Sequence, residues 1–240
     1  MIDKKDLEAL ILEKYQGDSS ADLSLDIARL EQDEPLAYVI GHIPFLGLTI
    51  NLSSRPLIPR PETEWWTEEV IKTLSPSEKV LDLCAGSGAI GLAISKHIPG
   101  IKVSFGEIQK NHVAQIQENA LLNGLGEVDA RESDLFSAFE GEQFNVIVTN
   151  PPYVPSSRTL EQSVTEFEPH EALYGGEDGL SVIRRILKGA PSHLLPSGIL
   201  YVECDIENVE EAEQLVKAEA KDTKILTDPY GRPRLLVAYY

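Results

Sequence analysis

The chain reads as an α/β protein: a seven-stranded, mostly parallel sheet with an antiparallel last strand, preceded by a short N-terminal helical cap and a β-hairpin linker. Three observations carry that expectation. Apolar, β-branched runs at 79–85, 102–106, 144–148 and 198–204 have the length of strands buried on both faces, and segments of helical periodicity separate them. The first run opens directly into Gly86-Ser87-Gly88, a turn of the kind that carries a parallel strand into a helix beside a ligand. The final two runs, 224–227 and 234–240, are joined only by Asp228 to Pro233, too short for a crossover helix, so they must be antiparallel.

Taken in order, Ile2, Leu7, Leu10 and Ile11 recur at helical spacing, and a second short helix is expected from Leu23 to Leu30 after the turn residues Gly17 to Ser20. These make residues 1–34 a helical cap. From Pro35 to Leu52, β-branched and aromatic residues punctuated by Gly41 and Gly47 predict a hairpin, and 35–58 forms the linker. Pro56, Pro59 and Pro61 then hold an extended path, and Glu62 to Glu64 start a helix towards Leu74 with acids where the helix dipole favours them. Residues 59–240 form the main domain. After the glycine turn comes a helix to about His97, then a strand ending at Glu107. The next helix, 110–122, is expected to bury Val113, Ile116, Ala120 and Leu121 and to stop at Asn123-Gly124. A weaker strand at 127–131 leads into Ser133-Asp134-Leu135-Phe136. Residues 165–180 are expected as a long polar loop of the kind that covers ligand sites, and helices over 180–187 and 209–220 complete the alternation.

A net charge of −18 works against stable binding to nucleic acid, which leans on Lys and Arg to neutralise phosphates. Arg55, Arg60, Arg184 and Arg185 are the residues from which a local basic patch could be built. The acidic surface suits a basic protein partner, or serves solubility alone. No apolar run approaches the roughly 20 residues that cross a bilayer, and Met1 to Asp6 lacks the apolar core of a secretion signal. No membrane association and a cytoplasmic location are therefore expected. Cys84 and Cys204 lie in strand-like runs and are expected as reduced, buried thiols. The histidines lack ligand spacing, so no metal is expected.

Chemistry is expected at Asn150-Pro151-Pro152-Tyr153, where a buried strand ends. Asn150 offers a side-chain carbonyl, Pro151 a backbone carbonyl, and Tyr153 a flat aromatic face. Together they could hold the planar NH2 of an amide or a nucleobase with its lone pair facing an electrophile. The same residues also make an ordinary strand-ending turn. Gly86, Gly88 and Gly91 follow the dinucleotide fingerprint, which allows a tight turn, close ligand approach and close helix packing. Glu107 can accept both hydroxyls of a ribose. Asp134 can accept an adenine amino hydrogen or cap the segment after it, and Leu135 can pack on the ring.

Four segments together resemble the glutamine methyltransferases that modify peptide chain release factors. They are Pro35-x-x-Tyr38-Val39-Ile40-Gly41 with Phe45 and Gly47-Leu48; Leu57-Ile58-Pro59-Arg60-Pro61-Glu62-Thr63-Glu64; Asp82-Leu83-Cys84-Ala85-Gly86-Ser87-Gly88-Ala89-Ile90; and Asn150-Pro151-Pro152-Tyr153 followed by Phe167-Glu168-Pro169 and Gly175-Gly176-Glu177-Asp178-Gly179-Leu180. The resemblance implies the Rossmann-like class I methyltransferase fold and S-adenosylmethionine as methyl donor. It implies Cys84, Ala85, Gly86, Ser87 and Gly88 around the donor, Glu107 on its ribose, Asp134 and Leu135 at its adenine, and Asn150 touching both donor and acceptor. Asn150, Pro151, Pro152 and Tyr153 would hold the target, the glutamine of the release factor's Gly-Gly-Gln loop, with Asn150, Pro151 and Tyr153 carrying catalysis. Sister branches act on a ribosomal-protein glutamine or on adenine amino groups. The glycine turn with Glu107 also suits a nicotinamide-dependent oxidoreductase, which the antiparallel finish does not. Three departures mark this chain. Only about 34 residues precede Pro35, where the family usually has a bundle of several helices, and the fifth strand ends in Glu203-Cys204-Asp205-Ile206-Glu207 where the family tends to read Glu-Ile-Gly and then Gln. Glu107 stands where Asp is commoner, which keeps the carboxylate.

Overall fold

The chain, described over residues 2–240 in a computed structural model, begins with helices α1 (Lys4–Tyr15), α2 (Ser24–Leu30) and α3 (Leu36–Ile40). The hairpin β1 (His42–Phe45) and β2 (Leu48–Asn51) follows, then α4 (Pro61–Ile71). The main alternation runs β3 (Lys79–Leu83), α5 (Ala89–His97), β4 (Lys102–Glu107), α6 (Lys110–Leu122), β5 (Asp129–Glu132) and β6 (Phe144–Thr149). Two short helices, α7 (Gln162–Phe167) and α8 (His170–Leu173), precede α9 (Ser181–His193), β7 (Leu194–Glu203), α10 (Val209–Val216), β8 (Asp222–Thr227) and β9 (Pro233–Tyr239).

The seven-stranded sheet has the order β5-β4-β3-β6-β7-β9-β8. Strand β9 inserts between β7 and β8 and runs antiparallel to both, while the other neighbours are parallel. Because the chain steps outward from β3 to β5 and then returns to place β6 on the other side of β3, the loops leaving β3 and β6 part company. That reversal opens a crevice at the carboxyl ends of these strands. Alternate residues face opposite layers: Val80, Val146 and Tyr201 pack with Trp66 and Val70 of α4 and Ile90 and Ile94 of α5. Leu81, Ile147 and Leu200 pack with Ile183 and Ile186 of α9 and Val209 and Ala212 of α10. Covering both faces is why these strands read as continuous apolar runs rather than alternating ones. Among the described residues, no helix is long and apolar enough to cross a membrane.

Several expectations need correction. The first third of the expected hairpin is helix α3, closed by Gly41 at φ +98°. Its adjacent Tyr38 and Val39 are both buried, which a strand of period two exposed on one face cannot achieve. The expected polar loop at 165–180 holds the end of α7 and all of α8. Helix α9 continues past Leu187 to His193 because its buried stripe, Ile183, Ile186, Leu187 and Ala190, continues.

Helix α6 has the expected limits but a different buried face. Leu121 is 58% exposed, whereas Gln115 and Asn119 are buried. The reason is that α6 packs on the outer edge of β2, where backbone N–H and C=O groups need partners. Asn123 accepts from Thr49 N–H at 2.9 Å and donates to Thr49 C=O at 2.8 Å. Asn119 does the same for Asn51, at 2.8 and 3.2 Å, and Gln115 accepts from Ser54 N–H at 2.9 Å. Four residues of helix rise about 6 Å and two residues of strand about 6.7 Å, so Asn123 and Asn119, four apart on the helix, stay in step with Thr49 and Asn51, two apart on the strand. Asn119 also donates to Ser87 C=O at 2.9 Å, which ties the glycine turn to the hairpin. Replacing Asn119 with Ala strips partners from buried backbone groups and is expected to lower unfolding free energy by about 2 kcal/mol in urea titrations. Leu121→Ala, by contrast, should change it by no more than about 0.5 kcal/mol.

Candidate active site

Strand β3 ends at Leu83, and the chain turns through Cys84 at φ +55°, Gly86 at +55° and Gly88 at +81° before α5 begins. Cys84 is therefore not part of the strand, and it is half-buried in a backbone conformation that a side chain rarely adopts. Burial, with the nearby Glu107 charge, pushes its thiol up to about 12, so it stays protonated and is no nucleophile at neutral pH. Cys204 lies just past β7 and is buried. A Cβ on Gly91 would stand 2.3 Å from the Phe105 ring, so this glycine lets α5 lie directly on β4. A Cβ on Gly86 would meet nothing nearer than Pro56 at 4.0 Å, leaving that side of the turn open.

Glu107, at the end of β4, accepts from Gly86 N–H at 2.8 Å and Gln109 N–H at 2.8 Å, which aims its carboxylate at the turn. One cleft is lined by Cys84, Gly86, Glu107, Asp134, Leu135 and Asn150, among others. Ala85, Ser87 and Gly88 sit in the turn behind it and hold its shape, with Gly88 N–H donating to Ala85 C=O at 2.7 Å. Asp134 is exposed at the rim and accepts from Arg185 at 2.8 Å. The other arginines singled out above also meet carboxylates: Arg55 on Glu34, Arg60 on Glu168, and Arg184 on Asp178 and Glu211.

A second cleft of about 410 Å³ is lined by Leu57, Arg60, Asn150, Tyr153, Leu160 and Ala172, among others. The two clefts share Leu57, Asn150 and Ala172, so they meet at Asn150. The Asn150 side-chain oxygen is buried and has no hydrogen-bond partner, while its NH2 donates to Thr63 Oγ1 at 3.2 Å. Thr63 in turn donates to Glu203 Oε2 at 2.7 Å, as does Trp66 Nε1 at 2.6 Å, and the Tyr153 hydroxyl donates to Glu203 Oε1 at 2.9 Å. Burial and the Glu203 charge hold Tyr153 well above the ordinary phenol range, so it is no base. Burial also raises Glu203, against the three hydrogen bonds. Sequence reasoning did not assign roles to Thr63, Trp66 or Glu203. The available signal was a carboxylate closing the apolar run Ile199 to Val202.

The loops behind Asn150 to Tyr153 are packed tightly. A Cβ on Gly175 would come within 2.5 Å of Pro152 C=O, and one on Gly179 within 2.2 Å of Tyr153 C=O. Asn208 donates to that same Tyr153 carbonyl at 3.1 Å, and Asp205 grips Arg158 at 2.7 Å. The unusual segment after β7 thus braces the turn from behind.

Residues 66–172 match the family model described as methyltransferase small domain. The release factor glutamine methyltransferase of Koribacter versatilis is 36% identical over 227 residues, covering 92% of this chain and 80% of that one. The enzyme of the same description from Streptococcus pneumoniae is 34% identical over 214 residues, covering 87% and 76%. The chain belongs to the release factor glutamine methyltransferase family. A Thermus thermophilus 16S rRNA methyltransferase, solved with AdoMet and guanosine, aligns with TM-score 0.61 at 22% identity over 82% of this chain and 49% of that one, a likeness of fold alone. The α/β fold is thus shared with that methyltransferase.

In this family member Asp82 lies buried under the glycine turn, its Oδ2 accepting from Gly91 N–H at 2.9 Å and its Oδ1 without a partner. Burial pushes it up to about 8, against the Gly91 hydrogen bond. A folded-state value above the unfolded one favours folding fully below about pH 4, and that contribution is lost as pH rises through the folded value. Urea midpoints of Asp82→Asn relative to the unsubstituted protein are therefore expected to rise steadily from about pH 4 to pH 8 and then level off; a difference independent of pH would contradict a protonated Asp82.

Proposed function

We propose that this protein transfers a methyl group from S-adenosylmethionine to the side-chain amide nitrogen of the glutamine in the Gly-Gly-Gln loop of a peptide chain release factor. The observation that carries this reading is the meeting of two clefts at Asn150, whose buried oxygen lacks a donor. The names of the relatives support the substrate. A release factor partner carries with it a cytoplasmic site of action. The pairing of Arg55, Arg60, Arg184 and Arg185 with acids, and the net charge of −18, argue against a stable nucleic-acid complex.

Glu107 would take the ribose hydroxyls of the donor, Leu135 the face of its adenine, and the open side of Gly86 would admit the chain leading to sulfur. When bound, S-adenosylmethionine supplies an electrophilic methyl carbon. The protein's task lies with the amide, a poor nucleophile because its lone pair is delocalised into the carbonyl. Asn150 Oδ1 and the Pro151 backbone carbonyl would accept the two amide hydrogens, and Tyr153 would pack on the amide plane. Two acceptors fix the direction of the nitrogen and stabilise the positive charge that develops on it. The proton leaves after transfer, so no strong base is needed. The residues of the site fit that requirement, since Tyr153 stays a phenol and Cys84 a thiol.

Mass spectrometry of a release factor incubated with this protein and methyl-labelled donor is expected to show one added methyl group on the loop glutamine; an unmodified glutamine overturns the proposal. Asn150→Ala is expected to keep donor binding by calorimetry while turnover falls on the order of 100-fold, as for loss of one preorganised transition-state contact.

A further inference from the structure

The two ends of an asparagine amide are nearly the same size, so shape alone would let Asn150 turn its NH2 into the cleft. There it would face the NH2 of an incoming amide, donor against donor. We infer that Trp66, Glu203 and Thr63 are positioning residues that fix Asn150 with its oxygen towards the acceptor cleft, a reading that rests on the function proposed above and deepens it.

The polarity is set from one end. An indole N–H can only donate. Trp66 Nε1 lies 2.6 Å from Glu203 Oε2, so that oxygen must be accepting. The Thr63 hydroxyl meets the same oxygen at 2.7 Å and gives it its only proton. What remains on Thr63 for Asn150, 3.2 Å away, is a lone pair, and a lone pair selects Nδ2. Oδ1 is then left buried and without a donor, at the junction of the clefts. A bare buried acceptor is costly, and a substrate N–H relieves it.

The Tyr153 hydroxyl holds Glu203 Oε1 at 2.9 Å, so both carboxylate oxygens are tethered. The order does not depend on the charge of Glu203. With two donors already on Oε2, an acid proton belongs on Oε1, where the Tyr153 hydroxyl can turn to accept it. Thr63, Trp66 and Glu203 are all buried, so water cannot substitute for a missing member.

The test uses full-length protein, release factor and S-adenosylmethionine, with kcat, KM and donor affinity measured separately. Thr63→Val keeps the shape but has no lone pair; kcat is expected to fall at least about tenfold with donor affinity held within about twofold, and Thr63→Ser to return kcat to within about threefold. Glu203→Gln can keep an oxygen under Trp66 and Thr63 and turn its NH2 to Tyr153, so its kcat should stay within about threefold, whereas Glu203→Leu frees the Thr63 proton to turn on Asn150 and should lose at least about tenfold. A donor-binding Thr63→Val with unchanged kcat overturns the inference. So does a Glu203→Gln as impaired as Glu203→Leu, which would assign the role to charge. Should Thr63→Val fail to fold, Glu203→Leu carries the test, and unchanged kcat there overturns it equally. Absence of methylation by the unsubstituted protein defeats the substrate assignment itself, an outcome distinct from equal rates among the variants.

Discussion

A carboxylate that is 1% exposed at the end of a central strand is the constraint around which the site is arranged. Leaving Glu203 there without partners would cost several kcal/mol. Helix α4 supplies two donors and the loop after β6 a third, so the burial of Glu203 dictates where α4 and Tyr153 must lie. This explains why a helix outside the strand-helix alternation packs against the sheet. It also explains the rigid, proline-rich approach to that helix: Ile58 N–H and Arg60 both reach the buried Glu168, which fixes the path before α4 starts. Sheet topology provides the crevice, and the carboxylate decides which side chains look into it.

Several local rules are broken around this crevice. Cys84 takes a conformation suited to glycine, Asp82 is buried with one oxygen unpaired, and Asn150 carries a second orphan oxygen. Each has a cost of order 1–3 kcal/mol. The surroundings supply the compensation: α5 lies against β4 over Gly91, the α6 amides hold the hairpin and Ser87, and Gly175 and Gly179 let two loops press on the carbonyls of Pro152 and Tyr153. Costly features held in place by close packing around them are what a preorganised site requires.

The features legible in the sequence were those with a period or a local steric demand. Two-faced burial made β3, β4, β6 and β7 visible as apolar runs, and the short link at Asp228 to Pro233 made β9 antiparallel to β8. The glycine turn, Glu107 and Asn150 could be placed because strand ends are where such folds present side chains. The buried face of α6 was not legible, since it answers to the edge of β2, some 70 residues away in the chain. Helix α3 was hidden because β-branched and aromatic residues usually favour strands, and tertiary burial of Tyr38 and Val39 overrode that preference. The link from Glu203 to Asn150 through Thr63 escaped for the same reason: no pattern within any one segment announces a partner 140 positions on.

The ion pairs around the two clefts differ in kind, and the difference bears on how ligands enter. Asp134 and Arg185, at the rim of the glycine-turn cleft, are each about half exposed, so their pairing is worth at most about 1 kcal/mol and gives way readily. Glu168, beside the acceptor cleft, is 1% exposed and holds both Arg60 and Ile58 N–H, so breaking it would strand a buried charge at a cost of about 3–5 kcal/mol. The glycine-turn cleft therefore has a soft rim, and the second cleft a fixed wall. Under the proposed function the fixed wall would lie on the side that grips the amide nitrogen, whose direction decides whether it can react.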